Sequence, residues 1–140
     1  MKSSIVRKAQ FNAAHRLFIK DKTDQENLEI FGKCAYPNYH GHNYELHVKL
    51  SGEIDSETGF VYDIAKLRAI IDEEIIENYD HRNLNLDTED FKNIIPTVEN
   101  IAVVIYNRLR KKIENQYEIQ IKLYETPRNY TIYPDQNTFL

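Results

Sequence analysis

The 140-residue chain carries 18 Lys and Arg against 22 Asp and Glu, a net charge of −4, with 41% hydrophobic and 29% charged residues. That length builds one core, no apolar run nears the ~20 residues that span a bilayer, and no basic stripe offers a nucleic acid its phosphate contacts. The single cysteine excludes an internal disulfide and suits a reducing compartment. Met1 to Arg7 has no signal-peptide core, so a cytoplasmic protein of one domain, residues 1–140, is expected.

Residues 4–14 alternate and read as a strand, with Ile5, Ala9, Phe11 and Ala13 on one side and His15 next on that parity. Residues 16–39 read as irregular, because the run from Lys20 to Asn27 is too polar for a core. So long a connection in a compact domain is usually functional or disordered. It separates His15 from His40 and His42 and contains Cys34, which favours function. Flanked by Gly32-Lys33 and Ala35-Tyr36-Pro37-Asn38, Cys34 belongs to a loop. Lys33 and a nearby metal ion would both lower its thiol pKa.

Residues 42–52 form a second strand, with Tyr44, Leu46, Val48 and Leu50 on the parity of His40 and His42. His47 has the opposite parity and is assigned to the solvent side. After a turn region from Gly52 to Gly59, Asp63 caps a helix whose Ile64, Leu67, Ile71 and Ile75 recur at helical spacing. Asp80-His81 opens a polar segment, where it either caps a turn or pairs a carboxylate with an imidazole for proton shuttling. Both readings stay open. Thr97 caps a second helix with Val98, Ile101, Ile105 and Leu109 on one stripe. Glu99 in its first turn and the cluster from Arg108 to Lys112 at its end complement the helix dipole.

The chain then returns to strands. Tyr117, Ile119, Ile121 and Leu123 alternate, and Tyr130 to Tyr133 follows a Pro127-Arg128-Asn129 turn. The order β-β-α-α-β-β implies an α+β fold, an antiparallel sheet with two helices on one face.

Histidines two apart on a strand share a face, so His40 and His42 point together. His15 ends another strand on an apolar parity, and pairing the two strands would unite three neutral imidazoles. Such a set suits zinc and leaves a fourth position open. Glu125 continues the inward parity of the last alternating run. A carboxylate there either reaches solvent beyond the strand or meets a ligand whose N–H and NH₂ groups pair with it, since burial without partners is costly.

Six pieces in order carry a resemblance: Phe11-Asn12-Ala13-Ala14-His15, Phe31-Gly32-Lys33-Cys34, His40-Gly41-His42-Asn43-Tyr44, Asp80-His81-Arg82-Asn83-Leu84-Asn85, Pro96-Thr97-Val98-Glu99-Asn100 and Tyr124-Glu125-Thr126. Spanning almost the whole chain, they resemble the 6-pyruvoyl-tetrahydropterin synthase family. The resemblance implies the T-fold (tunnelling fold), zinc on His15, His40 and His42, and Cys34 as base. It also implies Asp80 and His81 as proton relay, Glu125 as pterin anchor, and Thr97 and Glu99 in the wall of the pterin pocket. Subunits of this family form trimers stacked as homohexamers, with sites between subunits.

The implied reaction converts 7,8-dihydroneopterin triphosphate to 6-pyruvoyl-tetrahydropterin, on the way to tetrahydrobiopterin, with loss of triphosphate. Zinc would polarise the side-chain hydroxyls, and no nicotinamide is needed, in keeping with the lack of a Gly-rich fingerprint. The related 6-carboxy-tetrahydropterin synthases of the queuosine and deazapurine routes also release acetaldehyde. They typically place the cysteine four residues before His-Gly-His, whereas Cys34 stands six before His40, which favours the pyruvoyl branch. Cys34 itself disfavours a branch that carries glutamate there and performs an aldol cleavage. Tyr39 stands where pyruvoyl members commonly have glycine. A pterin- or zinc-binding T-fold protein without turnover is the remaining reading, against which Cys34, Asp80 and His81 argue.

Overall fold

In the computed structural model, which describes residues 1–135, β1 (Lys2–His15) and β2 (His40–Glu53) pair antiparallel from end to end. Their alternation decides the register's meaning: Phe11, Ala13 and His15 face inward with Tyr44, Leu46, Val48 and Leu50, all buried. Phe11 stacks on Tyr44 at a centroid distance of 4.9 Å. β3 (Arg82–Asn83), β4 (Glu118–Thr126) and β5 (Asn129–Tyr133) complete a sheet of order β3-β1-β2-β4-β5. β3 runs parallel to β1, so the sheet is mixed rather than wholly antiparallel. Two residues are too few to show a period, and only the contact with β1 makes them a strand.

Four α segments accompany the sheet: α1 (Asp24–Phe31), α2 (Ile64–Ile71), α3 (Glu77–Tyr79) and α4 (Val98–Arg110). A π-helical turn, Asp72–Ile76, joins α2 to α3. Asp63 and Thr97 cap α2 and α4 as expected, accepting from Ala65 N and Asn100 N. Leu67, Ile71, Ile75, Ile101, Ala102, Ile105 and Leu109 are buried with Ile119, Ile121 and Leu123 in one core. Ile64 departs from its expected stripe and is 48% exposed, because it occupies the first turn of α2. No helix among the described residues is long and apolar enough to cross a membrane.

Two further expectations are corrected. Residues 16–39 are only partly irregular: residues 24–35 form α1 and a 3-10 turn, Gly32–Ala35. Thr23 and Glu26 close a capping box on α1, and buried Asn27 bonds Ile19 N and the carbonyls of Ile19 and Lys22. Polar side chains, not apolar ones, hold this segment in place. His47 is not solvent-side either, at 8% exposure. Its ring packs on Tyr124 at 5.3 Å with Glu45 Oε1 at 3.4 Å, so aromatic cover buries part of the sheet's outer face.

The basic cluster at the end of α4 is structural. Arg110 donates to the carbonyls of Ile113, Glu114 and Tyr117, and Arg108 grips Asp90 through Nε (2.7 Å) and Nη2 (3.0 Å). The hydroxyl of fully buried Tyr79 donates to the same carboxylate at 2.6 Å. Burial pushes the Asp90 pKa up, but these donors outweigh it and hold the group below its ordinary 3.8. A depressed carboxylate pKa stabilises the fold above that value and loses the contribution as pH falls further. Asp90→Asn should therefore cost about 1.5–3 kcal/mol at pH 7 in urea unfolding. The gap to wild type should close below about pH 4; a gap that persists there would show that the charge is not responsible.

Candidate metal centre and active site

The β1–β2 register sets His15 opposite His40 and Ala13 opposite His42, so three imidazoles converge at one end of the inner face. Ring centroids lie 4.6 Å (His15–His40), 5.1 Å (His15–His42) and 5.0 Å (His40–His42) apart. One nitrogen from each falls within 4.8 Å of the others, a group that could hold a metal ion. His15 is completely buried, and its Nδ1 lies 2.8 Å from the Pro96 carbonyl. A carbonyl only accepts, so Nδ1 carries the proton and Nε2 presents its lone pair to the cluster.

The Nε2 atoms of His15 and His42 are buried without a hydrogen-bond partner. Buried polar atoms without a partner are costly, and a bound cation would relieve both at once. Burial lowers the His15 pKa to about 4, and it also lowers His40 and His42, so all three are in the neutral, ligating form at pH 7. The donor set fits a divalent transition metal.

Glu125 keeps its inward parity and is 22% exposed by its side chain, with Oε2 3.9 Å from His15 Nε2 and Oε1 3.8 Å from His42 Nε2. Burial pushes its pKa up; His40 opposes the rise and Glu99 adds to it. Glu99 thus acts on the site electrostatically, beyond its place in the first turn of α4. Thr97 spends its hydroxyl on the cap of that helix.

Cys34 sits in the 3-10 turn and is partly buried. Burial and then Glu125 push its thiol pKa up. The rise is contrary to the lowering expected from Lys33, whose exposed side chain does not offset it. The turn is pinned to the end of β1: Leu17 N donates to the Cys34 carbonyl (2.9 Å) and Arg16 Nε to the Ala35 carbonyl (2.8 Å). Arg16 is in turn fixed by Asn85, whose side chain bonds its N (2.8 Å) and its O (3.0 Å). Sequence reasoning missed Arg16 as a support for the cysteine; its position directly after His15 was the available signal.

Asp80 and His81 form the expected dyad, with His81 Nδ1 2.9 Å from Asp80 Oδ2. They are not brought to the histidine cluster. Asp80 also accepts from Asn12 N and lines an open cleft of about 760 Å³ with Gln10, Asn43, Glu45 and Tyr124, outward-facing residues of the sheet. His81 is 82% exposed by its side chain. Tyr39 adopts a positive φ of 66°, a conformation free to glycine and costing other residues about 1–2 kcal/mol. That is a physical reason for glycine to be common at this position.

Three neutral imidazoles that could hold a metal ion, beside a carboxylate on the inner face of an α+β sheet, are an arrangement of the pterin-synthase class. The family model of 6-pyruvoyl tetrahydropterin synthase matches residues 4–136, and the chain belongs to that family. It is 42% identical over 131 residues to the 6-pyruvoyl tetrahydrobiopterin synthase of Pongo abelii, covering 94% of this chain and 90% of that protein. It superposes on the solved 6-pyruvoyl tetrahydropterin synthase of Caenorhabditis elegans with a TM-score of 0.90, 39% identity and 97% of each chain covered. The architecture is the T-fold of these proteins. A putative 6-carboxy-5,6,7,8-tetrahydropterin synthase of Archaeoglobus fulgidus is 35% identical over 89 residues, 64% of this chain and 70% of that protein.

Proposed function

We propose that the chain is a zinc-dependent lyase that converts 7,8-dihydroneopterin triphosphate to 6-pyruvoyl-tetrahydropterin with loss of triphosphate. The observation that carries this reading is the convergence of His15, His40 and His42 beside Glu125 on one face, with Cys34 in the 3-10 turn within the electrostatic reach of Glu125. The three imidazoles would hold zinc, which when bound supplies Lewis-acid polarisation of the side-chain hydroxyls. Glu125 accepts the pterin N–H and NH₂, orienting the ring, with Thr97 and Glu99 in the pocket wall. Cys34 withdraws a side-chain proton; a thiol whose pKa is raised makes a stronger base once ionised.

Asp80 orients His81, which carries protons to and from the substrate. Their place on the outward side of the sheet supports a relay supplied to a neighbouring subunit's site, and hence a homohexamer with shared sites. A cytoplasmic location belongs to the same proposal, as does a small pterin triphosphate as partner rather than nucleic acid or membrane.

The six-residue spacing from Cys34 to His40 favours the pyruvoyl product over the carboxy product. Coverage agrees, since the carboxy-named relative aligns with a smaller part of the chain than the pyruvoyl-named one. The test is triphosphate release from the substrate by zinc-loaded and chelator-stripped protein. Release by the loaded form alone is expected; equal release by both would exclude a zinc-dependent lyase.

A further inference from the structure

The segment that begins with Asp80-His81 follows β1 bond by bond. His81 N donates to the Asn12 carbonyl (2.6 Å) and Leu84 N to the Ala14 carbonyl (2.8 Å). At Arg16, just past the end of β1, the Asn85 side chain takes over from main-chain pairing. Its Oδ1 accepts from Arg16 N at 2.8 Å and its Nδ2 donates to Arg16 O at 3.0 Å. One amide thereby satisfies both main-chain groups of a single residue. Asn85 is itself held, since its N donates to Asn83 Oδ1 at 3.0 Å. Arg16 passes the constraint on. Its Nε donates to the Ala35 carbonyl at 2.8 Å, and its guanidinium carbon lies 4.4 Å from the centre of the Phe18 ring. Next to it, Leu17 N donates to the Cys34 carbonyl at 2.9 Å. The Arg16 contact with exposed Asp24 adds little. Two successive residues, Arg16 and Leu17, thus hold two successive carbonyls of the turn that carries the thiol.

We infer that Asn85 is a positioning residue for Cys34, acting through Arg16 to fix where the thiol meets the substrate. This rests on Cys34 as the base, the reading proposed above, and gives the polar segment after the dyad a task of its own. A base must stand within hydrogen-bond reach of the proton it takes. Misplacing it by about 1 Å costs on the order of 10²-fold in rate. The Asn85 amide is spent on the Arg16 main chain and not on the substrate, so its loss falls on kcat rather than KM.

Two measurements on the full-length, zinc-loaded protein test this: triphosphate release, and alkylation of the thiol by iodoacetamide without substrate. Cys34 is the single cysteine of the chain, so alkylation reports on it alone. Asn85→Ala should lower kcat about 10–100-fold with KM unchanged. It should also speed alkylation, because a freed turn exposes a thiol that is partly buried. Asn85→Asp keeps the acceptor for Arg16 N and should regain part of both properties. Zinc content should match wild type, since His15 is held separately by its pairing with His40 and by the Pro96 carbonyl. Unchanged kcat and alkylation in Asn85→Ala would overturn the inference. A fall in kcat matched by loss of zinc would overturn it too. Faster alkylation at full turnover would instead overturn Cys34 as the base and leave Asn85 a purely structural clamp. If Asn85→Ala does not fold, Arg16→Lys reads the same link, losing the Nε donor to Ala35 while keeping the cation, with the same outcomes expected.

Discussion

Replacing His42 with alanine should empty the metal site and abolish turnover together. His42 supplies one of three imidazoles whose nitrogens lie within 4.8 Å of one another, and it projects from near the end of the paired β1–β2 ribbon, opposite Ala13. Two ligands from His15 and His40 cannot complete a zinc site, which in catalytic form keeps three protein ligands. Loss of a supporting partner alone costs about 10–100-fold in metal affinity, so loss of a direct ligand should exceed about 100-fold. Metal content of the purified variant checks this, with activity measured on the same sample. The fold should survive, since His42 is only partly buried and Tyr44, Leu46 and Val48 hold β2 in the core. A variant that keeps stoichiometric zinc would remove His42 from the ligand set.

Cys34→Ala should separate the two properties that His42→Ala loses jointly. Its metal content should match wild type, because the proposed ligand set contains no sulfur. Its turnover should fall by about 10²–10⁴-fold, the contribution of a positioned general base. The turn that carries it should remain, because its anchors are the backbone carbonyls of Cys34 and Ala35 held by Leu17 N and Arg16 Nε. Mixing this variant with His81→Ala subunits adds a decisive readout. If Asp80 and His81 serve a neighbour's Cys34, refolded mixtures should regain part of the activity that neither variant has alone. Activity that stays at background in every mixture would place the relay and the base in one chain.

The chemistry-bearing residues were more legible than the framework around them. β1 and β2 announce themselves because their apolar residues fall on one parity (Ile5, Ala9, Phe11 and Ala13; Tyr44, Leu46, Val48 and Leu50), and that same alternation turns His15, His40 and His42 inward. Glu125 was readable for the converse reason, an acid on an apolar parity, and its place between His15 and His42 accounts for it. α1 escaped detection because its sequence buries Asn27 rather than an apolar stripe. The Thr23–Glu26 capping box was the available sign of it. β3 has two residues and no period, and exists through its contact with Ala13 and Ala14. His47 was misplaced because parity names the face of a sheet but not what covers that face; the Tyr124 ring does so.

The side chain of the product distinguishes a pyruvoyl-forming elimination on a pterin triphosphate from the carboxy-forming reaction. Zinc-loaded protein incubated with 7,8-dihydroneopterin triphosphate should yield a tetrahydropterin that keeps all three side-chain carbons, with triphosphate released and no acetaldehyde formed. Acetaldehyde in proportion to triphosphate, with a one-carbon side chain left on the ring, would contradict it.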